Sequence, residues 1–168
     1  MIKRRISTIV IIFIGFILQT TALHAIELAN VVPNILLILT VCYSYMRGRT
    51  SGLLTGFLCG LLLDMQFGNV IGLYAFVFMT IGFLCGYCQK IYFTDNYILP
   101  CVLVGISDLF YGIYYYVTEF LVRGRLYFGF AFTSVILPEI IYTLIVSVLI
   151  FRLLNMLEKF LSEKKEEV

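Results

Sequence analysis

The stretch GLLTGFLCGLLLDMQFG, which begins at Gly52 and ends at Gly68, decides the fold of this chain. Gly52, Gly56 and Gly60 repeat at every fourth residue, and Asp64 takes the next step of the same spacing. Residues four apart lie on one side of a helix, so the segment carries a groove of bare backbone that ends in a carboxylate. In water each of these glycines would cost a helix about 1 kcal/mol relative to alanine. In a membrane the same small residues let two helices approach closely, so the stretch predicts a tightly packed membrane helix.

The composition of the whole chain supports a membrane protein. The 168 residues are 61% hydrophobic and 13% charged, whereas soluble domains are about 45–50% apolar and about 25% charged. A chain of this size cannot hide so much apolar surface from water. We therefore predict one all-α domain that is a polytopic integral membrane protein.

Six apolar segments follow one another and predict six transmembrane helices. About 20 apolar residues cross the hydrocarbon layer, although the second to fourth segments are short or closely joined and are candidates for tilted or re-entrant helices. This division predicts a six-helix transmembrane domain at 1–154 and a charged, amphipathic cytoplasmic tail at 155–168. The first segment also has the basic start and Ala25 of a signal peptide, but an uncleaved helix is the simpler interpretation. The segments are 6–23, 31–46, 50–67, 70–89, 97–122 and 130–154.

The basic residues indicate the orientation, because lysine and arginine accumulate on the cytoplasmic side of membranes. With the N-terminus inside, the outer side receives only Arg123 and Arg125. We therefore predict that both termini are cytoplasmic. The cytoplasmic side receives Lys3, Arg4, Arg5, Arg47, Arg49, Lys90, Arg152, Lys159, Lys164 and Lys165.

Polar residues inside the segments are the candidate functional groups. Acids inside a membrane are costly and are expected to face protein or water. Asp64 ends the glycine groove, and Asp108 and Glu139 form a candidate polar pocket in the outer half of the bundle. Pro33 and Asn34 open the second segment, since proline is tolerated in a first helical turn. A proton relay or a catalytic acid pair is the alternative use of the acids, but the residues around them do not favour a protease.

The remaining residue types predict no cofactor, no metal site and no nucleic-acid site. Cys85 and Cys88 have the spacing of redox pairs, yet they fall at the predicted cytoplasmic end of a helix, in a reducing compartment. All five cysteines are therefore read as small buried apolar residues. His24 is the single histidine, and one histidine without neighbouring ligands does not make a metal site.

The series from residue 31 to residue 72 resembles the MreD family of bacterial rod shape-determining membrane proteins. The family pattern has a proline followed by Asp or Asn near the start of the second span, and a glycine-rich third span that closes in G-x-x-x-D and a glycine-bearing turn. Here this pattern falls on Pro33, Asn34, Gly56, Gly60, Asp64 and Gly68.

The resemblance implies a non-enzymatic scaffold of the cell-elongation complex in the bacterial cytoplasmic membrane. It implies binding to MreC and a link between the MreB cytoskeleton and peptidoglycan synthesis by RodA and its transpeptidase partner. It also implies a fold similar to the substrate-binding components of energy-coupling-factor transporters. The alternative function is therefore a vitamin-binding subunit of such a transporter. Whether the glycine groove packs inside the bundle or receives a partner helix is left open by the sequence.

Overall fold

Six α-helices make up most of the described chain, which covers residues 2–22, 32–67, 72–91, 98–118 and 136–163 of a computed structural model. The predicted all-α fold is confirmed. Short turns of π-helix at Leu18–Ala22 and of 3₁₀ helix at Gly86–Ile91 extend two of the helices. The helices are α1 at Ile2–Ile17, α2 at Ile35–Arg47, α3 at Arg49–Phe67, α4 at Leu73–Cys85, α5 at Ile98–Tyr116 and α6 at Leu137–Glu163.

Helix α2 is the centre of the bundle. Every residue from Ile35 to Tyr45 is buried, and α2 contacts each of the other five helices. A helix that is apolar on all sides is typical of a core element. Thr40 and Ser44 interrupt the apolar run, and both are small enough to pack closely.

Consecutive helices run in opposite directions, so the bundle has two ends. We call the end where α2 begins the Asn34 end, and the end where α2 stops the Arg47 end. Asp64 of α3 meets the start of α4 at the Asn34 end. Gly86, at the close of α4, packs against Arg49 at the Arg47 end.

The helices differ in how well they match a membrane. Helices α5 and α6 contain apolar stretches long enough to cross it, at Ile98–Tyr116 and Leu137–Glu158. Helices α2 and α4 have 13 residues each, which is about 20 Å of helix against a hydrocarbon thickness of about 30 Å. Helix α2 is surrounded by protein, so its short length does not expose polar backbone to lipid.

One helix boundary differs from that which the sequence predicts. Helix α5 is α-helical to Tyr116 and continues as π-helix through residue 118, and the expected end at residue 122 lies outside the described residues. Helix α6 was expected to end at Leu154 but continues through Glu163. The reason is that Asn155 and Glu158 are buried against the bundle, so this part of the chain has a packed side. Gly68, His24, Arg123, Arg125 and residues 164–168 lie outside the described residues.

Candidate functional site

The glycine ladder of α3, formed by Gly52, Gly56 and Gly60, faces α4 of the same chain. A Cβ atom on Gly56 would overlap the backbone of Phe78, and one on Gly60 would overlap that of Ala75. Gly52 meets Gly82 of α4 in the same way. The two helices therefore approach with backbone against backbone along the ladder, as small residues allow.

A hydrogen bond joins the packed helices α3 and α4 to the central helix α2. The Ser44 hydroxyl of α2 donates to the Gly82 carbonyl oxygen, and a Cβ on Gly52 would run into Ser44. Helix α4 thus fills the groove that the sequence indicates. A second helix has no room in that groove while α4 occupies it.

Asp64 binds the first turn of α4. Its two carboxylate oxygens accept hydrogen bonds from the backbone N–H groups of Tyr74 and Ala75, each at 2.9 Å, and its side chain is 2% exposed. The residue at the N-cap of α4 is Gly72, which has no side chain to cap the helix. Asp64 therefore supplies from α3 the acceptor and the negative charge that a helix N-terminus favours.

Asn34 has a comparable role at the start of α2. Its side-chain oxygen accepts from the Leu37 N–H at 3.1 Å, which makes Asn34 the N-cap of the helix. Its own N–H donates to the Thr143 hydroxyl of α6 at 3.3 Å. Pro33 is buried immediately before this cap, so it precedes the first helical turn in which the sequence placed it.

Asp108 and Glu139 come together between α5 and α6. Asp108 is 2% exposed, and the buried Thr143 faces it from α6. Glu139, in the first turn of α6, is half-buried and faces the same carboxyl. The backbone N–H of Asn34 is linked to this group by its hydrogen bond to the Thr143 hydroxyl. Asp64 is not part of it, because its carboxylate is bound by α4.

Tyrosines lie between Asp64 and the acid pair. Tyr74 of α4 packs against Tyr111 and Tyr114 of α5, with ring centroids 6.1 and 5.6 Å apart. Tyr111 also meets Phe78 edge-on at 5.8 Å. This aromatic contact holds α4 and α5 together at the Asn34 end.

A buried ion pair at the Arg47 end escaped the sequence analysis. The Arg47 guanidinium donates to Glu158 of α6, with Nε at 2.7 Å from the carboxylate, and also to the Thr8 hydroxyl of α1. It lies 4.7 Å from the centroid of the Tyr43 ring. The pair therefore joins three helices. A usable signal exists in the buried series Ser147, Phe151, Leu154 and Glu158, whose helical spacing continues past the predicted end of the last span.

The cysteines are free thiols. Cys42 and Cys59 are fully buried, and the Cys85 thiol lies 3.4 Å from the Ser107 hydroxyl. Cys88 and Cys101 are partly exposed. Within the described ranges, no group of three or more metal-ligating side chains comes together.

Comparison with known proteins identifies the family. The family of the rod shape-determining protein MreD matches residues 2–161, which is nearly the whole chain. Neither a curated protein nor a solved structure matches the chain, so the similarity to transporter components stays an expectation. The chain belongs to the MreD family of non-enzymatic, shape-determining membrane proteins.

Proposed function

We propose that this protein is a membrane scaffold of the rod complex that binds MreC and links the MreB cytoskeleton to peptidoglycan synthesis. RodA and its transpeptidase partner are the synthase that it holds near MreC. The family match over residues 2–161 is the observation that carries this proposal. We also propose that all six helices are embedded in the bacterial cytoplasmic membrane, with both termini in the cytoplasm.

The glycine ladder contributes to this function by making α3 and α4 one rigid unit. Its glycines contact α4 directly, and Asp64 fixes the start of α4. A partner helix in the ladder would have to displace α4 and break these contacts. We therefore propose that Gly52, Gly56, Gly60 and Asp64 shape the partner surface without touching the partner, and that Pro33 and Asn34 do the same through the start of α2.

The surface that we propose for an MreC transmembrane helix is the cleft between α4 and α5. It is an apolar hollow of about 370 Å³. Its walls contain Thr80 of α4 and Ile106 of α5, both exposed, and the buried Ser107 lies at its base. A concave apolar surface with a few small side chains gives a second helix close contact in lipid, where packing drives association.

The test is co-purification of MreC after mild detergent extraction. Thr80→Trp fills the cleft with an exposed side chain and is expected to reduce MreC recovery several-fold while the protein remains folded. Ile145→Trp, on the exposed side of α6 where Ile145 is 62% exposed, is the matched control. Equal recovery of MreC with both variants would exclude the cleft. Failure of the parent protein to recover MreC would exclude the scaffold function itself.

The alternative function, a vitamin-binding transporter subunit, needs several polar groups that converge on one pocket. Asn34 and Asp64 each bind the first turn of a helix, which leaves Asp108 and Glu139 from the expected set. Recovery of ATPase subunits in place of MreC would favour this alternative.

A further inference from the structure

Asp108 is a buried acid that receives no backbone N–H group from the described residues. In the described part of the chain, its two oxygens are the buried side-chain polar atoms that have no hydrogen-bond partner. Asp64 is buried to the same extent, at 2% exposure, yet receives two backbone N–H groups. An ionised carboxylate in the position of Asp108 has no such donors, and a membrane interior makes that charge costly.

The groups that face Asp108 include a second acid. Glu139 faces it from the first turn of α6, and Thr143 faces it one turn later. Among the described residues, the phenol of Tyr111 interacts with both acids, and Tyr74 and Tyr115 lie close to Tyr111. Among the described residues facing the pair there is no cation, since Arg47 is bound at the opposite end of the bundle. Two ionised carboxylates in this position would repel each other.

The positions of the two acids decide which one is neutral. Glu139 is half-buried and lies near the start of the described part of α6. Asp108 lies in the middle of α5, away from either helix end, and is 2% exposed. Because Asp108 is the more deeply buried of the two acids, its ionised form is the more costly one.

We propose that Asp108, Glu139 and Thr143 form a proton-binding site between α5 and α6, in which Asp108 carries the proton. The proton comes from water at the Asn34 end and forms one O–H bond with the Asp108 carboxylate, and no other covalent bond changes. A protonated Asp108 becomes a hydrogen-bond donor, and the acceptor that faces it is the Glu139 carboxylate.

The proton has a structural consequence for three helices. The Thr143 oxygen already accepts the Asn34 N–H of α2, so its own O–H is available to an Asp108 oxygen. With the proton bound, α2, α5 and α6 share one polar cluster. Loss of the proton places a second negative charge at the α5–α6 contact and weakens that contact.

The test is infrared difference spectroscopy of the full chain in lipid nanodiscs during a pH titration. The parent is expected to show the carbonyl band of a protonated carboxyl group at neutral pH, and Asp108→Asn is expected to lose it. Glu139→Gln removes the neighbouring charge, so the Asp108 band is expected to disappear about one pH unit lower than in the parent. Asp64→Asn is the matched control, because the Asp64 oxygens accept two backbone N–H groups and Asp64 lies outside the pair, so this variant should keep the band.

Thermal unfolding of the same samples tests the linkage. A folded state that holds a proton which the unfolded chain releases loses stability as pH rises. The parent and Asp64→Asn should show this slope, and Asp108→Asn should not. If Asp108→Asn does not fold, Thr143→Val provides the readout, since loss of the hydroxyl should shift the frequency of the Asp108 band.

Three results would overturn the proposal. The first is a band that survives Asp108→Asn, and the second is a titration that Glu139→Gln leaves unchanged. The third is an ionised Asp108 at neutral pH together with a melting temperature that depends on sodium or potassium, which would indicate a metal cation in the place of the proton.

Discussion

Removal of the Asp64 carboxylate should destabilise the α3–α4 unit. In Asp64→Ala the N–H groups of Tyr74 and Ala75 lose their acceptors, both at 2.9 Å in the parent. Hydrogen bonds to charged groups contribute about 1.5–3 kcal/mol each, so two of them give an upper value of about 6 kcal/mol. Leu73, beside these groups, is 43% exposed, so part of this loss should be recovered from water or lipid headgroups. We expect a decrease of about 3 kcal/mol in the free energy of unfolding.

Asp64→Asn separates the contribution of the charge to stability from that of the hydrogen bonds. An amide keeps one acceptor oxygen, but its NH₂ group faces a backbone donor. The decrease should therefore be about half of that for alanine, or about 1.5 kcal/mol. Met65→Ala is the control on the same turn, because Met65 is 79% exposed, and it should change stability by less than about 0.5 kcal/mol.

The assay is reversible unfolding by sodium dodecyl sulfate in mixed micelles. The chain has no tryptophan, so helicity measured by circular dichroism is the signal. If Asp64→Ala and Met65→Ala were equally stable, the carboxylate would not be the cap of α4, and the reasoning from the two hydrogen bonds would fail.

Three further predictions concern other contacts. Gly56→Ala should lower the free energy of unfolding by about 2 kcal/mol, because its Cβ meets the Phe78 backbone. In Gly105→Ala the Cβ meets only the Leu144 side chain, at 3.3 Å, so the free energy of unfolding of this variant should be clearly higher. In a double-mutant cycle of Arg47→Gln and Glu158→Gln, a coupling energy of about 1–3 kcal/mol is expected for the buried pair, and additive effects would argue against it. Alkylation of native protein in membranes should leave Cys42 and Cys59 unlabelled, because both are 0% exposed. Mass spectrometry of the peptides is the measurement, and label on either cysteine would contradict their burial.

The sequence predicts the contacts that depend on spacing alone. The ladder at Gly52, Gly56 and Gly60 required a close helix neighbour, and the structure supplies α4. The sequence did not identify that neighbour, because a groove of glycines accepts any helix with small residues. Only the matching Gly82 on α4, across from Gly52, selects one.

The central position of α2 was not predictable for a different reason. In a soluble bundle the buried face of a helix is apolar and the outer face is polar, so periodicity distinguishes them. In lipid both faces are apolar. The outward side chains of α1, such as Ile9 and Phe13 at 45% and 52% exposure, are as apolar as the fully buried Leu36 and Ile38. Hydrophobicity therefore identifies the helices but does not show which of them is buried at the centre of the bundle.

The buried acids of the bundle differ in whether they have hydrogen-bond donors as partners. Asp64 holds α3 to α4 through backbone N–H groups, and Glu158 holds α6 to α2 through the Arg47 guanidinium. Asp108 lies between α5 and α6 without such a partner among the described residues. On the proposal above, α5 is the helix whose packing depends on a proton. It also forms one wall of the cleft proposed for MreC. If both proposals hold, Asp108→Asn should change the pH dependence of MreC recovery, whereas Asp64→Asn should lower that recovery equally at every pH.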